Sequence, residues 1–598
     1  GVFSPLDVHF ARSMARLASD SRPDVLLAAA LTSRQVARGD ACVDLSALAA
    51  AADLEVDGEA VAWPPLDDWL EQLSASPLIA LGAEASDGAP LILDPSGRLY
   101  LRRLWEDEQR VARELLERAR AELDVTDGAA LRPVIERLLP DATREPRLAA
   151  AVACAHRMCV ISGRPGTGKT TTAARLLAVL VERACAQGLP APRIALAAPT
   201  GKAAARLAAA IQRARAEMDC TAETRAAIPV EATTLHRLLR IDRPGGVRRP
   251  PVGELALDVV LVDEASMVDL GMAARLVAAL PKRAKLVLLG DPDQLASVEA
   301  GSVFADLCGP SPLQVYSEEM ASWLLESSGE LVEASAAREP AMRDCVVTLA
   351  ESHRYADQSG IDALARAVQQ GDAGRALEVL GDEALPDARL ASPAAEDELR
   401  ALMLRGYAAF GQAVSPHECL RALESFRVLC AVREGPFGVE ALNRAAEAAL
   451  VDSGALAPAP RAAAAWGAAR PLLVNRNAPH LRLYNGDVGV TDPSGSAQVF
   501  FETSDGSLRS LGLARLPQSE PVFAMTVHKS QGSEFDTVAL VLPDEPIPLL
   551  TRELVYTAVT RARHEVDVYA HPEVLSAAIE RRASRASGLC EALWGASR

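Results

Sequence analysis

Apolar positions along the chain follow two periods. Through residues 1–125 they recur at helical spacing between short polar turns, which predicts a small, mostly helical unit. From Met158 the pattern changes to short Val/Ile/Leu-rich runs alternating with alanine-rich amphipathic stretches. Runs at 158–162, 193–198, 258–262 and 285–289 read as strands, and their alternation with helices predicts a parallel sheet covered on both faces. A second set at 427–432, 470–474, 522–526, 537–542 and 566–569 predicts a second such sheet. Between about 483 and 516 the runs become shorter and β-like (487–491, 498–502). The turn pairs Asn485-Gly486, Asp492-Pro493 and Asp505-Gly506 punctuate them, which predicts a small β module inserted in a loop. Segments 310–340 and 385–416 lack a clear period and read as mobile or partner-contacting loops. The alanine patch at 461–465 reads as helix or linker.

At 598 residues the chain is too long for one core, and three or four domains are expected. We divide it at 1–125, 126–350 and 351–598, the last carrying the inserted module. No stretch approaches eighteen uncharged apolar residues, and the start lacks a basic region followed by an apolar run and a cleavage site. A soluble, cytoplasmic protein with no membrane partner is therefore expected. Ten scattered cysteines form no C-x-x-C pair and have no nearby histidine at ligand spacing, so they read as reduced thiols and not as a zinc or iron–sulfur site. A net charge of −18 opposes a global basic footprint, so any nucleic-acid contact must be a local groove. The acidic stretches near 53–84 and 382–398 read as solvated faces.

The sharpest chemical signal is Gly163-Arg164-Pro165-Gly166-Thr167-Gly168-Lys169-Thr170-Thr171, a Walker A loop following the first apolar run. Its glycines let successive N–H groups face phosphate oxygens. Lys169 reaches the β and γ phosphates, and Thr170 is placed for Mg²⁺. Asp263-Glu264 follows the run at 259–262, where Asp263 would hold Mg²⁺ and Glu264 would activate the attacking water. Gly290-Asp291-Pro292-Asp293-Gln294-Leu295 ends another run, and Gln294 is placed to sense the γ-phosphate. ATP with Mg²⁺ is the expected cofactor.

Further blocks come in a fixed order: Ala198-Pro199-Thr200-Gly201-Lys202-Ala203-Ala204, Thr234-Leu235-His236, 526–536 from Thr526 to Asp536, and 555–563 from Val555 to Arg563. With the Walker elements they resemble the motifs of superfamily 1 DNA helicases over most of 150–570. Within that superfamily the chain is most similar to the RecD family, α subunits of the bacterial RecBCD helicase–nuclease (exodeoxyribonuclease V). Pro5-Leu6-Asp7-Val8, 26–31, Tyr100-Leu101-Arg102-Arg103-Leu104-Trp105 with Arg110-Val111-Ala112, and Tyr484-Asn485-Gly486-Asp487-Val488-Gly489 extend the likeness outside the motor. One departure is plain. The glutamine that precedes Walker A in the family and recognises adenine has no counterpart in Glu145-Pro146-Arg147-Leu148.

The resemblance implies an α/β fold of two tandem RecA-like P-loop domains, with an SH3-like inserted β module and a helical partner-binding N-terminal domain. It implies an ATP-driven single-strand DNA translocase moving 5′ to 3′, working with RecC and with the nuclease-bearing RecB on the 5′-ended strand of a duplex end. Double-strand break repair, recombination and DNA degradation by the complex follow. By matching position, Arg354 and Arg561 come from the second α/β unit as arginine fingers, Gly532 and Glu534 border the nucleotide, and with Gln531 they link the DNA-binding face to the nucleotide cleft. Pro199, Thr200, Lys202, Thr234, His236, Thr526, His528 and Lys529 would contact DNA, through phosphates and without reading bases. A stand-alone RecD-like helicase and an ATP-gated regulatory DNA-binding subunit are the alternatives. The first lacks support from 1–125, which carry no tandem helix–hairpin–helix elements. The second does not need intact DNA-side loops.

Overall fold

The computed structural model describes residues 3–50, 55–56, 59–60, 63–82, 88–121, 123, 127–140, 143–241, 255–309, 314–337, 340–352, 354, 359–392, 396–458, 466–503 and 506–595. His353 and the alanine patch at 461–465 lie outside them.

The N-terminal region is helical as expected, with helices Pro5–Ala18, Pro23–Ala37, Leu66–Ser74 and Arg102–Ala119. It also holds a small sheet that the apolar pattern did not announce: β1 (Cys42–Asp44), β2 (Ile79–Leu81), β3 (Leu91–Leu93) and β4 (Arg98–Leu101), in the order β1-β4-β3-β2. Its strands are three or four residues long, too short to display a period of two.

The first large sheet is parallel throughout. It comprises β5 (Met158–Gly163), β6 (Ile194–Ala198), β7 (Ala232–Thr234), β8 (Val259–Val262), β9 (Lys285–Gly290) and β10 (Val346–Leu349), in the order β10-β5-β9-β8-β6-β7. β5 and β8 are buried at every position, which explains their unbroken apolar sequence: both faces are covered. Helices Arg144–Ala155 and Lys169–Ala186 cover one face with eight and ten buried residues respectively. The other face is covered partly by Arg102–Ala119, whose Leu104, Val111, Ala112 and Leu115 join the core of Val160, Val260 and Leu286.

A second parallel sheet follows, formed by β11 (Ala388–Ala391), β12 (Phe426–Cys430), β18 (Ala524–Thr526), β19 (Phe535–Val541) and β20 (Ala562–Tyr569), in the order β11-β20-β19-β12-β18. Between β12 and β18 the chain leaves to build a five-stranded antiparallel module from β13 (Pro471–Val474), β14 (Val488–Thr491), β15 (Gln498–Glu502), β16 (Leu508–Gly512) and β17 (Ser519–Pro521). Here the structure corrects the sequence reading. The run at 470–474 belongs to this module, where it pairs with β14 and β17, and not to the parallel sheet. Two segments taken as loops are also structured: Val315–Ser317, Glu318–Ser328 and Glu333–Ser335 fill much of the described part of 310–340, while β11, Glu396–Gly406 and Ala408–Gln412 fill much of the described part of 385–416. The fold is thus the expected α/β pair of parallel-sheet units.

The chain returns to its beginning. Arg585 donates to the carbonyls of Glu299 (2.8 Å) and Gly301 (3.1 Å), Ala586 N donates to Asp40 (2.8 Å), and Ala41 N donates to the carbonyl of Ala586 (2.9 Å). Ser587 and Gly588 donate to the buried Glu108 carboxylate, and Leu589 and Leu593 enter the core between the N-terminal region and the first sheet.

Candidate active site

The Walker loop leaves β5 at Gly163 and enters helix Lys169–Ala186. Gly166 and Gly168 hold φ of 84° and 78°, values that a side chain makes costly. A β-carbon on Gly166 would also collide with Arg354. Lys169 Nζ donates to the carbonyls of Gly163 (2.6 Å) and Arg164 (3.0 Å). Thr167 Oγ1 donates to the Arg164 carbonyl at 2.8 Å. Arg164 pairs with Asp362 of helix Gly360–Gln370 at 3.1 Å, a bridge from the loop to the second unit.

β8 delivers Asp263 and Glu264 beside this loop. Thr170 Oγ1 stands 3.4 Å from Asp263 Oδ2, and Asp263 Oδ1 accepts from Glu264 N at 2.9 Å. Burial, then the neighbouring Glu264 carboxylate, raise the Asp263 pKa. Burial pulls Lys169 down against the opposing pull of Asp291, Glu264 and Asp263. A hydroxyl and a carboxylate at this separation, beside a half-buried ammonium, form a donor set suited to Mg²⁺ on a polyphosphate.

The second unit closes the cleft. Arg561 is 2% exposed and donates to Gln294 Oε1 (2.9 Å), to the Ser533 carbonyl (3.1 Å) and to the Thr557 carbonyl (3.1 Å). Gln294 in turn donates to Asp291 (2.9 Å), which also accepts from Tyr556 Oη (3.1 Å). Leu295 is gripped at both backbone ends: its N–H donates to Thr557 Oγ1 at 2.9 Å and its carbonyl accepts from Gln531 at 2.6 Å. Arg354 bonds the Thr560 carbonyl (3.2 Å) and the Glu534 carboxylate. Glu534 also faces Arg206 (3.0 Å) and Arg563 (3.3 Å). Burial alone would raise its pKa, but these arginines with Arg561 outweigh it and hold it down at about 2. Gly532 offers its carbonyl to Arg206 at 2.8 Å. Pro165, Gly166, Lys169, Asp263, Gln294 and Arg561 line a single cleft of about 680 Å³.

The residues assigned to DNA lie after the carboxyl ends of edge and near-edge strands. Pro199 and Thr200 follow β6, Thr234 ends the adjacent edge strand β7, Thr526 ends β18, the edge of the second sheet, and His528 and Lys529 follow it. Thr200 and Thr234 cap helices, accepting from Ala203 N and Arg237 N. His236 is half-buried. Lys202 turns its ammonium towards the Phe535 ring, 5.8 Å away, and burial with Arg206 and Arg427 nearby pushes it down to about 7. His528 is lowered by burial and by Arg585. Lys529 is tied to the β module through Asn475 (2.8 Å) and Glu520.

Residues 1–100 match the family model described as RecBCD enzyme subunit RecD, N-terminal domain; 147–300 match an AAA domain and 521–569 a UvrD-like helicase C-terminal domain. The RecBCD enzyme subunit RecD of Mycolicibacterium smegmatis is 41% identical over 601 residues, covering 98% of this chain and 97% of that protein. The chain belongs to the RecD family. The Haemophilus influenzae RecD subunit is 36% identical over 89% of this chain and 85% of its own length. The ATP-dependent RecD2 DNA helicase of Deinococcus radiodurans is 29% identical, over 82% of this chain and 58% of its own.

In this RecD-family chain the structure brings Lys169, Asp263, Glu264, Gln294, Arg354 and Arg561 to one cleft, and four residues without a role in the sequence reading join them there. Asp291 and Tyr556 clamp Gln294, Thr557 holds Leu295, and Arg206 spans to Glu534. Three of them sat inside quoted motifs without a role. Arg206 lay just past one, on the helix that Thr200 caps. Among the described residues no group of three or more His, Cys, Asp or Glu could hold a metal, and no helix is long and apolar enough to cross a membrane.

Proposed function

We propose that this RecD-family chain is an ATP-dependent DNA helicase that moves 5′ to 3′ along single-stranded DNA, working with RecB and RecC on the 5′-ended strand of a duplex end in the bacterial cytoplasm. Its roles are double-strand break repair, recombination and degradation by the complex, with the nuclease residing in RecB. The carrying observation is the bond from Arg561, just ahead of β20 of the second sheet, to Gln294 in the loop after β9, across the cleft that holds Lys169 and Asp263.

Mg²⁺ and ATP supply the phosphoanhydride and the ion that neutralises it. Thr170 and Asp263 are the residues to hold the ion, and Lys169 and the Gly163–Thr171 backbone the phosphates. Glu264, next to Asp263, is the group to orient and deprotonate water. Gln294 cannot move without pulling on Arg561, Asp291 and, through Leu295, on Gln531 and Thr557. A change at the phosphates thereby reaches the second sheet, whose edge strand β18 leads to Thr526, His528 and Lys529. We take 1–125 as the partner-binding domain, 126–350 as the first motor domain and 351–598 as the second. The match of 1–100 to the RecD N-terminal model favours the complex-forming subunit over a stand-alone helicase.

Single-stranded DNA should stimulate ATP hydrolysis by the chain, and Lys169→Gln should abolish both basal and stimulated rates. A chain that binds ATP and DNA with no stimulation in either direction would favour the ATP-gated regulatory reading.

A further inference from the structure

Helix Gly360–Gln370 of the second unit reaches both loops that face the phosphates. Its apolar stripe, Ile361, Leu364, Ala365 and Val368, follows i, i+3, i+4 and i+7 and joins the core of Val538 and Leu540 of β19. Asp387, just ahead of β11, fixes the start of the helix by accepting from Ser359 Oγ (2.7 Å), Gly360 N (2.9 Å) and Ile361 N (3.2 Å). The helix is thus a firm part of the second unit. Asp362, Arg366 and Gln369 follow i, i+4 and i+7 along a neighbouring stripe, and two of these cross to the first unit. Asp362 Oδ1 accepts from Arg164 of the loop after β5 at 3.1 Å, and Gln369 Nε2 donates to Asp293 of the loop after β9 at 2.5 Å. β5 and β9 are adjacent in the first sheet. Seven residues of helix span about 10 Å, so one rigid element holds two neighbouring loops at a set separation.

Each contact lies one step from a group that meets phosphate. The Arg164 carbonyl accepts from Lys169 Nζ at 3.0 Å. Asp293 precedes Gln294 and donates its N–H to Asp291, the carboxylate that also holds Gln294. Arg164 and Asp362 are 17% and 19% exposed, so solvent screens them less than a surface pair, whereas Arg366, which meets Asp362 at 2.7 Å, is 59% exposed. We propose that Asp362 and Gln369 are positioning residues for ATP hydrolysis. Acting through Arg164 and Asp293, they set the Walker loop and the Gln294 turn against the second unit by a route separate from Arg354 and Arg561. The proposal rests on the ATP-hydrolysing reading of the cleft.

The test measures ATP hydrolysis with single-stranded DNA, binding of a fluorescent ADP analogue and thermal unfolding, all on the full chain. Asp362→Asn and Gln369→Leu should each lower kcat about tenfold, with KM for ATP, binding of the analogue and the thermal transition retained. Asp362→Glu should recover most of the rate, and Arg366→Ala should leave it unchanged. Arg164→Ala combined with Asp362→Asn should cost no more than the larger single change, because both remove one contact. An unchanged kcat in Asp362→Asn and Gln369→Leu would overturn the proposal and leave the hydrolytic reading standing. So would an equal loss in Arg366→Ala, or losses from Arg164→Ala and Asp362→Asn that multiply. A loss of rate that comes only with a lowered thermal transition, in Gln369→Leu as in Asp362→Asn, would reduce both residues to a structural role. Absence of hydrolysis by the unaltered chain would overturn the hydrolytic reading and the proposal together.

Discussion

At the scale of single residues, the cleft divides into groups that hold phosphate and groups that report on it. Lys169 is half-buried beside three carboxylates, so Lys169→Gln removes the charge that balances them as well as the phosphate contact. We expect hydrolysis to fall to background with the thermal transition retained, measured by phosphate release and calorimetry on the same sample. Arg561→Ala should bind ATP but hydrolyse it about 10³-fold more slowly, as for other arginine fingers. A collapsed thermal transition instead would return Arg561 to a structural role, which its bonds to two backbone carbonyls make a real competitor. The Walker loop, Asp263, Glu264 and Arg561 were legible in the sequence because each belongs to a local pattern of fixed spacing. The bridge from Arg164 to the second unit was not, because its partner Asp362 lies 198 residues away. Arg206 was hidden for the same reason, since its contacts with Gly532 and Glu534 cross two separately coded sheets.

At the scale of elements, the long strands β5, β8 and β9 were read within a residue or two, whereas β20 was read four residues short and the short strands β7, β10 and β11 were not read at all. The run at 470–474 shows why. An apolar stretch states that a strand is buried, but whether it joins a parallel or an antiparallel sheet depends on its partners, here β14 and β17. The C-terminal segment carries no motif, yet it lays helix Leu589–Trp594 against Arg102–Ala119 and Val303–Cys308. Beneath it lies Asp306, whose Oδ2 has no hydrogen-bond partner. Burial, and then the nearby Glu108 carboxylate, push its pKa from the ordinary 3.8 up to about 7. An acid raised by folding gives up its proton first in the unfolded chain. It therefore costs stability progressively as pH climbs from about 4 to about 7, and fully above that. Asp306→Asn should accordingly stabilise the protein at pH 8, with the gain vanishing near pH 4, in denaturant titrations at the two pH values. An equal gain at both would mean that the side chain is uncharged throughout.

At the scale of the whole molecule, three pieces far apart in sequence are held as one. The first sheet carries the phosphate loop, the second carries Arg561, and the N-terminal region is packed on the first while clasped by the end of the second. The fold class and the order of the two motor units were legible because helicase-type blocks and strand–helix alternation coincide along the chain. The clasp was not, since it joins Asp40 to Ala586 and Glu108 to Ser587 through contacts that neither end announces alone. The clasp therefore ties the second unit directly to the N-terminal region, where partner subunits are proposed to bind. The central claim is a motor of defined direction. Its most direct measurement is unwinding of a duplex bearing either a 5′ or a 3′ single-strand overhang by the chain assembled with RecB and RecC, where RecB's own motor has been inactivated. The account predicts ATP-dependent unwinding from the 5′ overhang alone, lost in Lys169→Gln. Unwinding from the 3′ overhang, or unwinding that survives Lys169→Gln, would contradict it.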